Sequence, residues 1–396
     1  MKNKYSLILA VCILVSLVFL GVNQSQNPQW KGTIEEEDGV KVIKNPNEPL
    51  FGEITFDLEE DLSIGNEEDE NYAFYRIGSP VVDSEGNIYV LDKPNFRIQK
   101  FDKDGQYLQS IGRQGQGPGE FERPGSMYVD TQQNIYVRDA RDIDIFDKNG
   151  KHIKSTVQYD LFGPFFGITK DGNIIAYNQS LRAGEMLEEV VLVDEDGKKI
   201  KTIVEYKSDA SSFGKGIDLG MSYTPGLWFY PINEGIAVYG YSSEYKLYVI
   251  DSSGNLAHII EKAEPPTPLS QKEINKVLDD FIERQKERKI GQKYSRNELK
   301  KSSKFPKHFV FFYGFNTDDK NRIYVNRFKS RLDEYKGGDY DIFSIDGYYL
   351  YRAKISPYAH VIKKGYVYNG EIDQNAGYTK IKRYKIKNWE QIKTGI

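Results

Sequence analysis

The sequence predicts an all-β protein, a six-bladed β-propeller in which an N-terminal strand closes the last blade and a helical insertion separates blades four and five. Three observations support this fold class. A short strand signal recurs six times, an Asp/Gly turn signal recurs with it, and the composition combines 29 Tyr and 21 Phe with 35 Gly among 396 residues. Aromatic residues favour pleated strands, glycine favours tight turns, and evenly spaced short strands are typical of propeller blades.

One complete unit lies between residues 81 and 137. Its strand signals are separated by Asp/Gly turns at 83–86 and 102–105, and a glycine-rich link at 112–121 leads to the next unit. An aspartate side chain bonds its own backbone and glycine adopts positive φ, so these pairs predict tight hairpins. The unit therefore has the pattern of one propeller blade.

The second strand of this unit restarts five times along the chain. Successive restarts are 47, 39, 62, 87 and 43 residues apart, measured from the first isoleucine or its equivalent. Three of these spacings suit a four-stranded blade, and the two long ones require insertions. The six strand cores are residues 87–90, 134–137, 173–176, 235–238, 322–325 and 365–368.

Residues 1–22 predict an export signal or a membrane anchor that is not part of the fold. Lys2 and Lys4 precede an uncharged run, residues 5–22, whose length is at the lower limit of the roughly 17–25 residues that span a bilayer. No clear cleavage site follows, so a cleaved signal and an uncleaved anchor both stay open. In either case we expect an exported protein, periplasmic or at the cell surface, with membrane contact through residues 5–22 if they are retained.

Residues 23–48 predict an acidic linker, and the propeller domain is expected to extend over residues 49–396. Between Glu35 and Glu70 the sequence has 14 acidic residues and two lysines, which favours a solvated surface. Within this stretch, residues 54–58 alternate as a strand does. Closed propellers commonly complete their last blade with a strand from the other terminus, so we expect residues 54–58 to close blade six.

Residues 264–306 predict the helical insertion. Ser270 and Glu273 have the spacing of a capping box at the start of a helix, and Ser295 and Glu298 repeat it. The second half of the insertion carries nine basic residues, which indicates either a solvated helix face or a basic lid over an anionic ligand. The predicted apolar face of the first helix comprises Ile274, Val277, Leu278, Phe281 and Ile282.

The charge balance and the cysteine content exclude some classes of protein. There are 54 basic and 58 acidic residues, whereas nucleic-acid-binding proteins usually have a basic excess, so we expect no nucleic-acid partner. The single cysteine, Cys12, lies in the N-terminal apolar segment. The folded part therefore has neither a disulfide framework nor a cysteine-built metal site.

The repeated unit resembles the NHL repeat in Gly86-Asn87-Ile88-Tyr89-Val90, Asp92, Asn95, Arg97, Ile98 and the link 115–121. More broadly, the chain is similar to the exported six-bladed β-propeller proteins of Bacteroidetes and related bacteria. The resemblance is strong over residues 76–155, fair over 166–205 and weaker afterwards. It implies a platform that binds proteins, RNA or ligands. Related six-bladed folds include a zinc-dependent lyase and calcium-dependent lactonases, so the fold alone does not choose a function.

In NHL-like blades, the links between blades share one face with the turns between second and third strands. The long irregular stretches 112–123, 206–228 and 264–306 belong to this face, and binding residues usually concentrate on such loops. We therefore expect the ligand or partner to bind there, at the mouth of the central channel. The candidate residues are Asp92, Asn95, Phe96, Arg113, Arg123, Asp139, Arg141, Asn178, Arg182, Trp228, Asn326 and Arg327.

Several of these candidates also fit structural roles. Asp92 and Asp139 are placed to bond backbone amides in their own turns. Arg113 and Arg123 flank the glycine-rich link and are placed to tie it to a neighbouring blade. Trp228 also fits packing between blades. Both interpretations stay open for each residue.

The sequence contains no complete signature of a metal enzyme. Of its four histidines, only His308 and His360 precede or begin innermost strands, whereas a zinc lyase site needs three. His152 and His258 are predicted in outermost strands, far from the channel. A Ca²⁺ site built from Asp, Asn and Glu oxygens would leave no regular spacing, so the cofactor stays unassigned, with calcium as an open alternative.

The sequence therefore favours a recognition module at the cell envelope that binds a protein, a glycan or a small-molecule ligand. The alternative is a metal-dependent, lactonase-like hydrolase or lyase with its site at the channel mouth. A structural role in the envelope is a third hypothesis.

Overall fold

The computed structural model of the chain describes residues 28–75, 77–140, 142–157, 165–182, 185–209, 217–287, 293–334, 337–372 and 378–396. The folded unit comprises residues 32–396. Its strands form six sheets, and each sheet contains one four-stranded antiparallel blade. The predicted six-bladed β-propeller is confirmed.

The N-terminal arm, residues 33–64, adds strands to the outer edges of three successive blades. One strand pairs in parallel with the last strand of blade four and carries a second strand as a hairpin. The third pairs in parallel with the last strand of blade five, and the fourth completes blade six. These strands are β1 (Thr33–Glu37), β2 (Val40–Asn45), β3 (Glu53–Thr55) and β4 (Leu58–Ile64).

The remaining strands follow one another blade by blade, from the channel outwards. Blades one to three comprise β5 (Val81–Val82), β6 (Ile88–Asp92), β7 (Arg97–Phe101) and β8 (Tyr107–Ile111); β9 (Pro124–Val129), β10 (Ile135–Asp139), β11 (Asp142–Phe146) and β12 (His152–Val157); and β13 (Phe166–Ile168), β14 (Ile174–Arg182), β15 (Glu185–Val193) and β16 (Lys199–Asp209). Blades four to six comprise β17 (Leu227–Asn233), β18 (Ile236–Tyr241), β19 (Lys246–Asp251) and β20 (Leu256–Lys262); β21 (Phe312–Thr317), β22 (Ile323–Arg327), β23 (Gly338–Phe343) and β24 (Tyr349–Ile355); and β25 (Val361–Lys363), β26 (Tyr366–Ile372) and β27 (Thr379–Ile386), which pairs with β4.

Two expectations for the N-terminal region are corrected. Residues 33–45 of the predicted linker 23–48 contain the β1–β2 hairpin, in which β2 pairs with blade four and Val42 and Ile43 are fully buried. Closure by an N-terminal strand is confirmed, but the strand is β4, which shares only Leu58 with the predicted residues 54–58. Ile54 pairs with Ala353 of blade five instead.

Charge complementarity explains why β4 is the closing strand. Lys382 and Arg383 of β27 contact Glu60 and Asp61 of β4, each at 2.9 Å. Opposite charges on neighbouring strands stabilise one register. Part of the acidic stretch thus has specific basic partners.

The repeated polar residues of the strand cores hold turns. Asp83 Oδ1 accepts hydrogen bonds from the backbone N–H groups of Glu85, Gly86 and Asn87, and Gly86 has φ of +95°. Asp83 Oδ2 also accepts from the Tyr89 hydroxyl group at 3.1 Å. Tyr136 with Asp130 and Tyr324 with Asp318 repeat the same contact in blades two and five. These repeated residues therefore stabilise the blades.

The apolar residues form a separate core between each pair of neighbouring blades. Ile88 and Val90 of β6 face blade six, whereas Tyr89 and Leu91 face blade two. Successive side chains of a strand point to opposite faces, so a strand covered on both faces is a continuous apolar run. This arrangement explains the repeated apolar strand cores.

The insertion between blades four and five contains α1 (Gln271–Glu287) and α2 (Arg296–Ser302). The capping box at Ser295 and Glu298 is confirmed. Short 3-10 helices lie at Lys93–Asn95, Leu219–Tyr223 and Trp389–Gln391. None of the helices in the described ranges is both long enough and apolar enough to cross a membrane, and the predicted segment 1–22 lies outside those ranges.

Candidate functional site

The meander topology gives the propeller two faces. Turns between the first and second and between the third and fourth strands of a blade lie on one face. Turns between second and third strands and the links between blades lie on the other, called the loop face below. The long stretches 112–123, 206–228 and 264–306 are all part of, or extend into, links between blades. The described residues of these stretches therefore share the loop face, as expected.

Both aspartates make structural contacts, but not the predicted bonds to backbone amide groups of their own turns: Asp92 accepts from side chains, and Asp139 accepts from the link before β9. Asp92 is buried, and its Oδ2 accepts hydrogen bonds from Asn95 Nδ2 at 2.8 Å and Arg97 Nε at 3.1 Å. The Asp139 carboxylate accepts from the backbone N–H groups of Glu122 and Arg123. Both side chains therefore fix loops of their own blades.

Residues of the first blade and its link are also held locally. Phe96 has a left-handed φ of 53° and packs against the core between blades one and two. The Arg113 side chain pairs with Glu120 of its own link at 2.8 Å. Arg123 is exposed beside the turn that Asp139 fixes.

The later candidates also contact their own surroundings. Asn178 Nδ2 donates to Glu189 across the β14–β15 pair, and Asn326 Nδ2 donates to the Tyr358 hydroxyl group. Trp228 packs beside Gly314 between blades four and five. Arg141 and the Arg182 side chain lie outside the described residues. None of the described candidates lines the cleft identified below.

The histidines are spread over several parts of the fold. His308 bridges to Pro268 where the insertion returns to the propeller, and His360 precedes β25. Burial lowers the pKa of His360. His152 and His258 lie in β12 and β20, the outermost strands of their four-stranded meanders. Among the described residues, no group of three or more His, Cys, Asp or Glu side chains is placed to hold a metal ion.

A cleft of about 280 Å³ lies on the loop face between the insertion and the propeller. Three parts of the chain enclose it: the 3-10 helix Leu219–Tyr223, helix α1, and the turn between β22 and β23 of blade five. Val277 is buried, whereas Ser222 and Arg331 are exposed. The lining residues are Leu219, Ser222, Val277, Phe281, Arg284, Gln285 and Arg331.

Glu273 connects the three parts that enclose the cleft. It is fully buried in α1, and its Oε1 accepts from the Tyr223 hydroxyl group and the Arg331 backbone N–H, each at 2.8 Å. Its Oε2 accepts from the Ser330 hydroxyl group. One half of the predicted capping box is present, because Ser270 Oγ accepts a hydrogen bond from the Glu273 N–H. The Glu273 carboxylate does not complete the box and makes the distant contacts described above instead.

The 3-10 helix also docks on the insertion through its backbone. Asp218 Oδ1 accepts from the N–H groups of Gly220 and Lys304, both at 2.9 Å. Ser303 Oγ accepts from the Leu219 N–H. A Cβ atom built on Gly220 would lie 2.0 Å from the Lys304 carbonyl oxygen, so this approach requires glycine.

We expect Gly220→Ala to destabilise the protein by roughly 1–3 kcal/mol, because the added methyl group must push the two backbone segments apart. The measurement is the urea midpoint of unfolding. Gly78→Ala is the control, since its nearest neighbour is the flexible Lys93 side chain at 3.7 Å. Equal losses of stability in the two variants would contradict this assignment.

A buried ion cluster joins the start of the insertion to the start of the blade-five turn. Lys262 Nζ and Arg327 Nη1 each lie 2.7 Å from Asp341 Oδ2. Glu264 contacts both cations, at 2.7 Å from Lys262 and 2.6 Å from Arg327. Arg327, a predicted binding residue, therefore positions loops instead of lining the cleft.

The positive charges of this cluster lower the pKa values of its two acidic residues, Asp341 and Glu264. Burial opposes ionisation of Asp341, but the positive charges of Lys262 and Arg327 hold its pKa below the ordinary value. The pKa of Glu264 is lowered in the same way, against burial, by hydrogen bonds and charge from Arg327 and Lys262. The cluster thus keeps its carboxylates ionised at neutral pH.

Comparison with known proteins adds information on the fold and the family. No functionally curated protein matches the chain. A protein assigned as exported, from Bacteroides fragilis NCTC 9343, shares the fold with a TM-score of 0.50 and 14% identity, over 87% of this chain and 99% of that chain. A member of the duf4221 family from Bacteroides vulgatus has a TM-score of 0.45 and 13% identity, over 84% and 98% of the two chains.

Virginiamycin B lyase from Staphylococcus aureus is also similar, with a TM-score of 0.38 and 12% identity, over 84% of this chain and 89% of that chain. The family model DUF5128, described as 6-bladed beta-propeller, matches residues 69–345. This match covers more than half of the 396 residues, and it agrees with the six sheets of the structure. The protein belongs to the DUF5128 family of 6-bladed beta-propellers.

Proposed function

We propose that the protein is an exported recognition module that binds a small ligand in the cleft between the insertion and the propeller. The observation that carries this proposal is the buried Glu273 carboxylate of α1, which holds the 3-10 helix and the blade-five turn beside α1 around a cleft of about 280 Å³. A site whose walls are fixed before binding loses less entropy when the ligand binds. The apolar segment 5–22 supports export, and the NHL-like units support a binding role.

The size and lining of the cleft favour a small molecule over a protein partner. Ligand pockets typically measure about 300–1,000 Å³ and combine apolar walls with a few polar groups. The cleft lies just below the lower limit of this range and has both kinds of residue.

Filling the cleft is expected to abolish ligand binding without unfolding the protein. Ser222 is exposed at the edge of the cleft, so Ser222→Trp places a large side chain there at little cost to the fold. Met221→Trp is the matched control, because Met221 is 52% exposed and does not line the cleft. The measurement is a thermal-shift screen of small acids, amines and neutral amphiphiles. A ligand at about 100 times its Kd adds roughly 2.7 kcal/mol of stability.

Compounds that stabilise the native protein and Met221→Trp, but not Ser222→Trp, would support the proposal. The proposal fails if no compound separates the two tryptophan variants. It also fails if Ca²⁺ or Zn²⁺ binds tightly and stoichiometrically and this binding is lost when carboxylates at the channel mouth are replaced. That result would favour the metal-dependent hydrolase or lyase.

A further inference from the structure

The base of the cleft is apolar. Val277 and Phe281 lie one turn apart on α1, and Leu219 faces them from the 3-10 helix. Val277 is only 2% exposed, and the other two are half-buried. An apolar group of a ligand placed here would remove the exposed parts of Leu219 and Phe281 from water, which is worth about 25 cal/mol for each Å² of apolar surface.

The edge of the cleft carries two guanidinium groups. Arg284 and Arg331 both line it and both are exposed. Arg284 Nε donates to the Asp280 backbone carbonyl oxygen, and among the described residues no carboxylate pairs with its guanidinium group. Arg331 Nη1 lies 3.9 Å from the Asp280 carboxylate, which Lys276 contacts more closely at 2.8 Å.

The backbone of Arg331 is fixed although its side chain is exposed. The Arg331 N–H donates to the buried Glu273 carboxylate, and the preceding Ser330 hydroxyl group donates to the same carboxylate. Gln285, which directly follows Arg284 in α1, exchanges hydrogen bonds with the backbone of Tyr294. The guanidinium groups therefore project from two anchored elements, which favours charge-assisted, two-pronged binding of an anion.

We infer that the cleft binds a small amphipathic monoanion, with its apolar chain on Leu219, Val277 and Phe281 and its head group between Arg284 and Arg331. This inference rests on the proposed function and names the ligand class. A single negative charge fits better than two, because Asp280 already neutralises part of the local positive charge. Carboxylates and sulfonates share this chemistry.

The volume of the cleft sets the length of the probe. One water molecule occupies about 30 Å³ in the liquid, so the cleft holds roughly nine groups of that size. Octanoate is of this size. Octanesulfonate tests another monoanionic head group, and octylamine and octanol test a cation and a neutral group on the same chain.

Isothermal titration of the purified protein with these four probes tests the inference. We expect octanoate and octanesulfonate to bind, octanol to bind at least about tenfold more weakly, and octylamine not to bind. Arg284→Gln and Arg331→Gln should each weaken octanoate binding about 10- to 100-fold, as expected for the loss of hydrogen bonds to a charged group. A preference for octanoate over octanesulfonate would identify the carboxylate as the natural head group. The reverse preference would identify a sulfonate-like group.

Arg296→Gln is the matched control, since it removes the same charge from the insertion. Arg296 is bonded to Asp279 and Asn275 and does not line the cleft, so its loss should change octanoate binding by no more than about twofold. The inference is overturned if octanol or octylamine binds as tightly as octanoate, or if Arg296→Gln weakens binding as much as the other two variants. If another compound of the screen binds and is blocked by Ser222→Trp while octanoate does not bind, the ligand class is wrong and the proposed function stands.

Discussion

Asp341→Ala is expected to cost about 3–5 kcal/mol of folding free energy, the largest loss predicted for a single change in this protein. The substitution removes the shared partner of Lys262 and Arg327, whose side chains are 1% and 13% exposed. It also removes the acceptor for the hydroxyl groups of Tyr245 and Tyr349. Two buried cations would then have Glu264 as their main remaining counter-charge, and desolvation of the surplus charge is costly.

Urea unfolding at several pH values measures this effect. The folded pKa of Asp341 lies below the ordinary value of about 4, so its stabilising contribution is complete above that value and is lost as the pH falls through the folded pKa. The difference between the native protein and Asp341→Ala should be constant from about pH 7 to pH 5 and shrink below about pH 4.

Asp104→Ala provides the control for charge removal. Asp104 pairs with Lys103 at 2.7 Å, but both side chains are about two-thirds exposed. Exposed pairs contribute little, so we expect no change in the unfolding curve. A similar loss of stability in both variants would show that the buried cluster has no special role.

Glu273→Gln is expected to release the insertion from the propeller and to open the cleft. Tyr223, Ser330 and Arg331 all donate to this carboxylate, whereas a glutamine side chain offers one acceptor oxygen and an amide group that repels donors. The local cost is roughly 2–3 kcal/mol, because hydrogen bonds to a buried charge are lost.

Native-state hydrogen exchange over α1 measures this local effect better than global unfolding does. Amide groups of α1 should exchange faster in Glu273→Gln, while those of blades one to three stay protected. Glu283→Gln removes an exposed charge from the same helix and should leave exchange unchanged. Unchanged protection of α1 in Glu273→Gln would mean that the carboxylate does not hold the insertion.

The local features of the fold could be predicted from the sequence because neighbouring residues determine them. The strand cores and the Asp83 turn depend on contacts a few residues apart, and the spacing of Val277 and Phe281 showed the apolar face of α1. The closing strand was misplaced because its register depends on charge pairs between residues more than 300 positions apart.

The cleft was missed for a similar reason. Leu219, Phe281 and Arg331 are separated by about 50 residues or more, and no local pattern in the sequence brings them together. Glu273 had the spacing of a capping residue, so its distant contacts were hidden by a local signal. The predicted loop-face residues were instead taken from strand ends, where side chains fix the turns of their own blades. The length of the stretches 206–228 and 264–306 and the basic character of the insertion were the signals that indicated this region.

The N-terminal arm also affects the order in which the protein can fold. Synthesis makes β2, β3 and β4 first, but their partners are residues 258–262, 352–354 and 381–386. Each pairing therefore waits for roughly 200–320 further residues, and closing such long loops is slow. Until the last strand exists, β4 remains an unpaired edge, which is a template for aggregation. A chain that stops before residue 379 lacks β27 and leaves β4 without its partner, so the ring closes only after β27 has been made.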